Sequence, residues 1–382
     1  MPELPRDSNP PVTIRRHGLL ALLAIALAGC AMPSMSQHQY TRYRVVGYDT
    51  ARQAIPAASV DHIDTLIFAF ANLVDGRVVL DVDGDGRLHR LTQLKTAHSH
   101  LKVVVSVGGW GVDGFSAAAS TAAGRQRFAD SATQLLLTHD ADGLDVDWEY
   151  PGHGEAGIQS SPRDRPNFTL LLKTLRMTLD RAGVEHGQRL TLSMAAADGP
   201  FVDGVDIAAI EPSLDWFNLM TYDFNNSLTP TTGHHTGLHA SALAPADARD
   251  TEKAVRQFLA AGVPPRKLLI GAAFYGREFA DVKAQHHGLY QTYGHYQGEH
   301  PWPELESRFI NRRGYVRYWD ADAQAPYLWN ADTRHFISYD DPHSLAAKAV
   351  WVKAHHLGGI MYWEQGQDPQ GELLDALWRG LQ

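Results

Sequence analysis

From about Thr41 onward, eight short runs of apolar, β-branched residues recur along the chain, at 43–48, 65–72, 101–108, 143–149, 189–195, 216–222, 267–275 and 359–363. Segments with helical periodicity lie between several of them. The clearest places Phe168, Leu171, Leu172, Leu175 and Leu179 on one face, at i, i+3, i+4, i+7 and i+11. Another carries Val255, Phe258 and Leu259 and stops at Gly262, with Pro264 and Pro265 just beyond. A third starts at Asp341 with Pro342 behind it, a cap and first-turn pair. Strand and helix alternating in this way predict an α/β chain closed into a (β/α)8 TIM barrel. The open doubly wound alternative would carry a glycine-rich dinucleotide fingerprint after its first strand, and that fingerprint is missing.

A length of 382 residues suits one barrel carrying an insertion. Between the seventh and eighth runs lie more residues than a loop and one helix require. Residues 280–335 are rich in aromatic and polar side chains and hold no long amphipathic helix, so they are expected to form a small α+β subdomain over the C-terminal mouth, where long βα loops build active sites. The alternative is a segment that only braces the barrel. The barrel itself is assigned to 41–279 and 336–382.

The N-terminus reads as an export segment. Arg15 and Arg16 precede the apolar run 19–27, which is short for a membrane span. Cys30 follows in Leu-Ala-Gly-Cys and is the only cysteine of the chain, so it has no partner for an internal disulfide. The stretch resembles a bacterial lipobox. That resemblance implies a signal peptide over 1–29, lipidation at Cys30, a tether over 30–40 and an exported lipoprotein. Ala31 after the cysteine points to the outer membrane. A plain secretory signal is the alternative.

The most informative stretch is residues 142–151, DGLDVDWEYP. Alternate residues of a strand share a face, so Asp145, Asp147 and Glu149 point one way and Leu144, Val146 and Trp148 the other. Three acids directed into a barrel cost several kcal/mol per unpaired charge, which a purely structural strand would avoid. Crowded carboxylates repel, so the outermost, Glu149, is expected to stay protonated near neutral pH. Such a group suits glycoside hydrolysis, which needs an acid to assist the leaving oxygen. Asp147 is poorly placed to attack an anomeric carbon, but it can orient and charge-stabilise a nucleophile that belongs to the substrate, such as a 2-acetamido group. A calcium or magnesium site is the competing reading. Alternate positions on a rigid strand wrap an ion badly.

In full, 142–149 resembles the Asp-x-x-Asp-x-Asp-x-Glu signature of family-18 chitinases. The resemblance continues in Ser106-Val-Gly-Gly-Trp110, Met220-Thr-Tyr222-Asp223, Tyr275-Gly-Arg277 and Gly358-Gly-Ile-Met-Tyr-Trp363, placed at the ends of the third, sixth, seventh and eighth strands. Ala273 stands where many members have proline, and no separate carbohydrate-binding module is seen. The resemblance implies that Glu149 is the general acid and then base. It makes Asp147 the partner of the acetamido N–H, Asp145 a group sharing its charge or proton, and Tyr222 a donor to the acetamido carbonyl. Trp363 becomes the floor under the sugar. Tyr48, Phe70, Trp110, Met220, Asp223, Tyr275 and Arg277 are the further expected cleft residues. Chitin or a chitooligosaccharide is the implied substrate, cut with retention of configuration and without metal or cofactor.

A net charge of −9 with no basic stripe argues against a nucleic-acid partner, and no obligate protein partner is evident. The histidine pairs 234–235, 286–287 and 355–356 show no ligand spacing and are expected to be solvated surface residues. Two other function classes remain: a non-catalytic chitin-binding lectin, and a hydrolase of another N-acetylglucosamine glycan such as peptidoglycan or the N-glycan core.

Overall fold

Parallel strands buried on both faces need apolar residues at nearly every position, and the eight runs supply them. The computed structural model describes residues 43–382; the signal segment, the tether and Cys30 lie outside the described residues. Strands Arg44–Asp49, Thr65–Val74, Lys102–Gly108, Gly143–Asp147, Thr191–Ala196, Trp216–Leu219, Leu268–Ala273 and Gly359–Trp363 pair in parallel. The first pairs with both the second and the eighth, with Val46 opposite Thr65 and Val45 opposite Ile360. That double pairing closes the barrel.

The expected helices form where their faces and caps allow. Asp164–His186 buries Phe168, Leu171, Leu172, Leu175 and Leu179. Thr251–Ala260 is capped by Asp250, which accepts from the Lys253 N–H at 2.8 Å. Pro342–Ala354 starts with a reciprocal capping box between Asp341 and Ser344.

The strands end earlier than the apolar pattern predicts. The fourth stops at Asp147, the sixth at Leu219 and the seventh at Ala273, against expected limits of 149, 222 and 275. Trp148, Tyr222 and Tyr275 remain buried past those ends. Hydrophobic pattern reports burial, whereas a strand's end is set by where the backbone leaves its ladder.

Tyr275 and Arg277 therefore do not terminate the seventh barrel strand. They open a second, five-stranded antiparallel sheet made of Tyr275–Ala280, His295–Pro301, Tyr315–Asp320, Ala325–Asn330 and His335–Tyr339. The sheet thus takes in residues on both sides of 280–335. Phe279, Val282, Leu289, Tyr327, Trp329 and Phe336 form its own apolar cluster. Glu278 is buried and accepts from His300 Nε2 at 2.8 Å, from His335 Nδ1 at 2.7 Å and from the Tyr315 hydroxyl at 2.5 Å.

Candidate active site

Strand parity separates the acidic stretch as predicted. Leu144, Val146 and Trp148 join the outer core beneath the helices, where Trp148 stacks on Phe115 with ring centres 5.4 Å apart. On the other face the lumen holds Val46, Tyr48, Ile67, Ala69, Val104, Ala195, Trp216, Tyr222, Leu269 and Met361 around the acids. The third strand can pass close to the fourth because Gly108 has φ +120° and a Cβ there would lie 2.0 Å from the Asp147 carbonyl oxygen.

Asp145 is wholly buried and accepts four hydrogen bonds: Tyr48 Oη at 2.9 Å, Ser106 Oγ at 2.8 Å, Ser193 Oγ at 2.6 Å and Asn218 Nδ2 at 3.1 Å. Asn218 is itself oriented by Trp216, whose Nε1–H donates to its Oδ1 at 3.0 Å. Burial pushes the Asp145 carboxyl up, and these donors oppose the shift. Ser193 and Asn218 were not singled out from sequence, and Ser106 only as part of a motif. Their strand parity, facing Asp145, was the available signal.

Asp147 is in the opposite situation. It is 4% exposed, and its Oδ1 has no hydrogen-bond partner. Burial, then the neighbouring charges of Glu149 and Asp145, drives its carboxyl well above the ordinary range. Glu149 lies two residues past the strand's end and is pushed up to about 7, first by burial; a bond from Tyr150 opposes the rise and the Asp223 charge adds to it. Tyr222 is held well above its usual pKa by burial and by the Asp147, Asp223 and Glu149 charges, so its hydroxyl stays neutral. That hydroxyl lies 3.9 Å from Met361 Sδ.

Asp223 connects the barrel to the second sheet. It accepts from the Tyr275 hydroxyl at 2.7 Å, from Arg277 Nη2 at 2.6 Å and also from Arg277 Nε. Burial works to raise its carboxyl, but His235 and Arg277 outweigh it and hold Asp223 well below the usual carboxylate range. His235 Nδ1 stands 3.5 Å from Asp223, too far for a good hydrogen bond, so the direct Arg277 contacts carry most of this effect. Beyond Arg277 lie Tyr296, its Oη accepting from Nη1 at 2.6 Å, and Glu299 at 3.0 Å.

Contrary to the expectation of solvated surface residues, one of the three histidine pairs is buried. His234 and His235 are buried, 2% and 0% exposed, His234 against Asp320 at 3.0 Å and His235 under Tyr275 with ring centres 5.2 Å apart. The second sheet covers a loop whose polarity alone reads as solvent-facing. The other two pairs are exposed.

Trp363 is partly exposed, stacks on Phe70 at 5.6 Å and 17°, and meets Tyr48 at 5.9 Å. Met220 is partly buried against the same lumen cluster. Trp110 is 55% exposed and meets Tyr150 edge-on at 6.1 Å, and Tyr150 in turn lies 4.6 Å from Phe201. The mouth is therefore lined by aromatic faces on both sides of Glu149. Tyr150 stands in the sequence reading only as part of the signature stretch, and Phe201 not at all, because a lone aromatic in a loop is more often core than cleft.

Residues 37–368 match the model of glycosyl hydrolases family 18, and the chain belongs to that family. It is 39% identical over 308 residues to Chitinase A1 of Niallia circulans, covering 76% of this chain and 44% of that protein. It thus spans less than half the length of that relative. Chitotriosidase-1 of Mus musculus is 30% identical over 364 residues, covering 91% of this chain and 75% of that one. Among solved structures, a family-18 N-acetylglucosaminidase from Paenibacillus barengoltzii superposes with a TM-score of 0.84 at 41% identity, covering 88% of this chain and 99% of the other.

Proposed function

We propose that the chain is a chitinase that hydrolyses β-1,4 bonds between N-acetylglucosamine units by retaining, substrate-assisted catalysis. The observation that carries this reading is the Asp147 Oδ1 that no described side chain satisfies, in a buried lumen beside Glu149, whose carboxyl burial pushes up to about 7. Burial and the adjacent acids hold the Asp147 carboxyl high, an unpartnered buried oxygen is costly, and the N–H of a 2-acetamido group is a donor that would favour the ionised form.

Bond breaking and bond making follow from these groups. Glu149 gives its proton to the glycosidic oxygen as the C1–O bond breaks. The acetamido carbonyl oxygen forms a bond to C1, and the resulting oxazolinium is held by Asp147 at its N–H. Tyr222, neutral, donates to the acetamido oxygen and turns it toward C1. Water then attacks C1, Glu149 takes its proton, and the ring opens to restore the acetamide. Two inversions at C1 leave the β configuration. Asp145 is fixed by its four donors and acts beneath Asp147 as a charge. Trp363, Phe70 and Tyr48 form the apolar floor, Trp110 the wall on the leaving side, and Met220, Asp223, Tyr275 and Arg277 the side toward the second sheet.

The likeness to an N-acetylglucosaminidase over nearly the whole of that protein favours a second reading of the same chemistry, in which single sugars leave from chain ends. Export with a lipid anchor at Cys30 rests on the Leu-Ala-Gly-Cys run, and the outer membrane on Ala31 after it. The test is cleavage of chitotetraose and chitopentaose by the purified protein beside Glu149→Gln. Hydrolysis abolished in the variant supports the proposal, and dimers against monomers as first products separate the two modes. Binding of both oligosaccharides without hydrolysis would promote a lectin.

A further inference from the structure

The sixth strand ends one step before its most important residues. Its ladder with the seventh runs through Phe217–Leu268, Asn218–Leu269 and Leu219–Ile270 and then stops. The next groups of the seventh strand are satisfied by side chains instead. Gly271 N–H donates to Thr221 Oγ1 at 2.7 Å, Thr221 Oγ1 donates back to the Gly271 carbonyl at 3.0 Å, and Ala273 N–H donates to Asp340 Oδ2 at 3.1 Å. After a last bond from the Met220 N–H to the Ala196 carbonyl at 2.9 Å, the backbone at 221–223 leaves the sheet to present Tyr222 and Asp223, the latter at φ +57°. Gly271 makes room for this: a Cβ there would lie 2.9 Å from Tyr222 Cδ1.

Behind that departure sits an ion pair out of reach of solvent. Lys348 and Asp340 have fully buried side chains, with Nζ 2.6 Å from Asp340 Oδ2. Lys348 also donates to Thr236 Oγ1 at 2.6 Å, and the Thr236 hydroxyl donates to the Thr221 carbonyl at 3.0 Å. Ser344 Oγ donates to the other Asp340 oxygen at 2.6 Å. Four separate segments of chain meet here, at Thr221, Thr236, Gly271–Ala273 and Asp340–Lys348, all of them remote in sequence from the acidic strand.

Desolvating such a pair is unfavourable unless the remaining hydrogen bonds are satisfied, and apolar replacements often match it for stability. Its geometric specificity is the better explanation. We infer that Lys348 and Asp340 are positioning residues that act through Thr236 and Thr221 to fix where Tyr222 and Asp223 stand relative to Glu149. They touch no reacting atom. The inference rests on the proposed function, since it assigns the pair a role in the same reaction.

Thr236→Val is the test, because it keeps shape and both charges and removes the hydroxyl that joins Lys348 and Asp340 to the Thr221 carbonyl. A shift of the acetamido-orienting groups by a fraction of an ångström is expected to lower kcat roughly ten- to a hundred-fold with KM little changed. Asp223 set further from Glu149 raises its pKa less, so the alkaline limb of kcat/KM moves to lower pH. Asp340→Asn combined with Lys348→Met, which leaves no unpaired buried charge, is expected to show the same two changes below its melting temperature. Variants that melt lower yet keep the wild-type kcat and pH limb would overturn the inference and leave the pair a brace. Failure of the wild-type protein to cut the oligosaccharides would instead overturn the function on which it rests.

Discussion

Asp145 and Asp147 stand two residues apart on one strand and face the same lumen, yet Asp145 accepts four hydrogen bonds while Asp147 Oδ1 accepts none. The protein has spent its donors on the deeper acid. In the proposed function the outer one takes its donor from the substrate.

Removing that outer acid is expected to harm turnover more than binding. Asp147→Ala should lower kcat by about 10²–10³, the scale of losing one preorganised electrostatic contact to a transition state, with KM changed only a few-fold. Steady-state kinetics on chitotetraose check this. A raised KM with kcat unchanged would remove Asp147 from the chemistry.

With Glu149 as the proposed acid, its elevated carboxyl predicts an alkaline limb of activity near pH 7. Asp223→Asn removes a negative charge that raises it, so the limb should move to lower pH. A pH profile of kcat/KM for the two proteins measures the shift, and an upward movement would contradict the assignment.

The same carboxyl makes a stability prediction of definite sign. Its folded pKa lies above the ordinary value of 4.5, so folding is unpenalised below pH 4.5 and progressively penalised as pH rises through 7. Glu149→Gln should therefore be more stable than wild type at pH 8, on the order of 1–3 kcal/mol, and no more stable at pH 4. Melting curves at the two pH values decide it.

Tyr48→Phe removes one donor from buried Asp145 and should cost about 1–3 kcal/mol of stability, the range for a hydrogen bond to a buried charged group. Denaturant unfolding measures it. An unchanged midpoint would mean that the Tyr48 bond is not made in solution.

In the second sheet, Glu278 is lowered to about 2; burial opposes this, and bonds from His300, Tyr315 and His335 prevail. His300 is raised: burial opposes, and bonds to Glu278 and Glu304 prevail. The Glu278 contribution is present above pH 4.5 and lost as pH falls toward 2, and that of His300 is present below pH 6.5 and lost as pH rises through its raised value. Glu278→Gln should then destabilise most between pH 4.5 and 6.5. A constant loss from pH 4.5 to 9 would argue against the charged cluster.

Much of this was legible in residue order because period-two parity is unforgiving: once 143–147 is a strand, Asp145 and Asp147 must share the lumen and Trp148 must face the helices. The barrel followed from runs that are apolar on both faces. Other features depend on contacts between distant segments. Nothing local marks Ala273 as the end of the seventh strand, since Phe274 and Tyr275 are as apolar as what precedes them and stay buried, Phe274 stacked on Tyr362 and Tyr275 in the lumen cluster. His234 and His235 look like loop polarity until that sheet covers them. Ser193 and Asn218 gain meaning only when their strands stand beside Asp145, and Lys348 only when its helix packs behind Thr236.

The most direct test of the central claim is proton NMR of the products in the first moments of chitotetraose cleavage, before mutarotation. The newly formed reducing ends should appear as the β anomer and drift toward equilibrium. The α anomer as first product would mean a single inverting displacement by water, and the roles given to Asp147 and the acetamido group would fall with it.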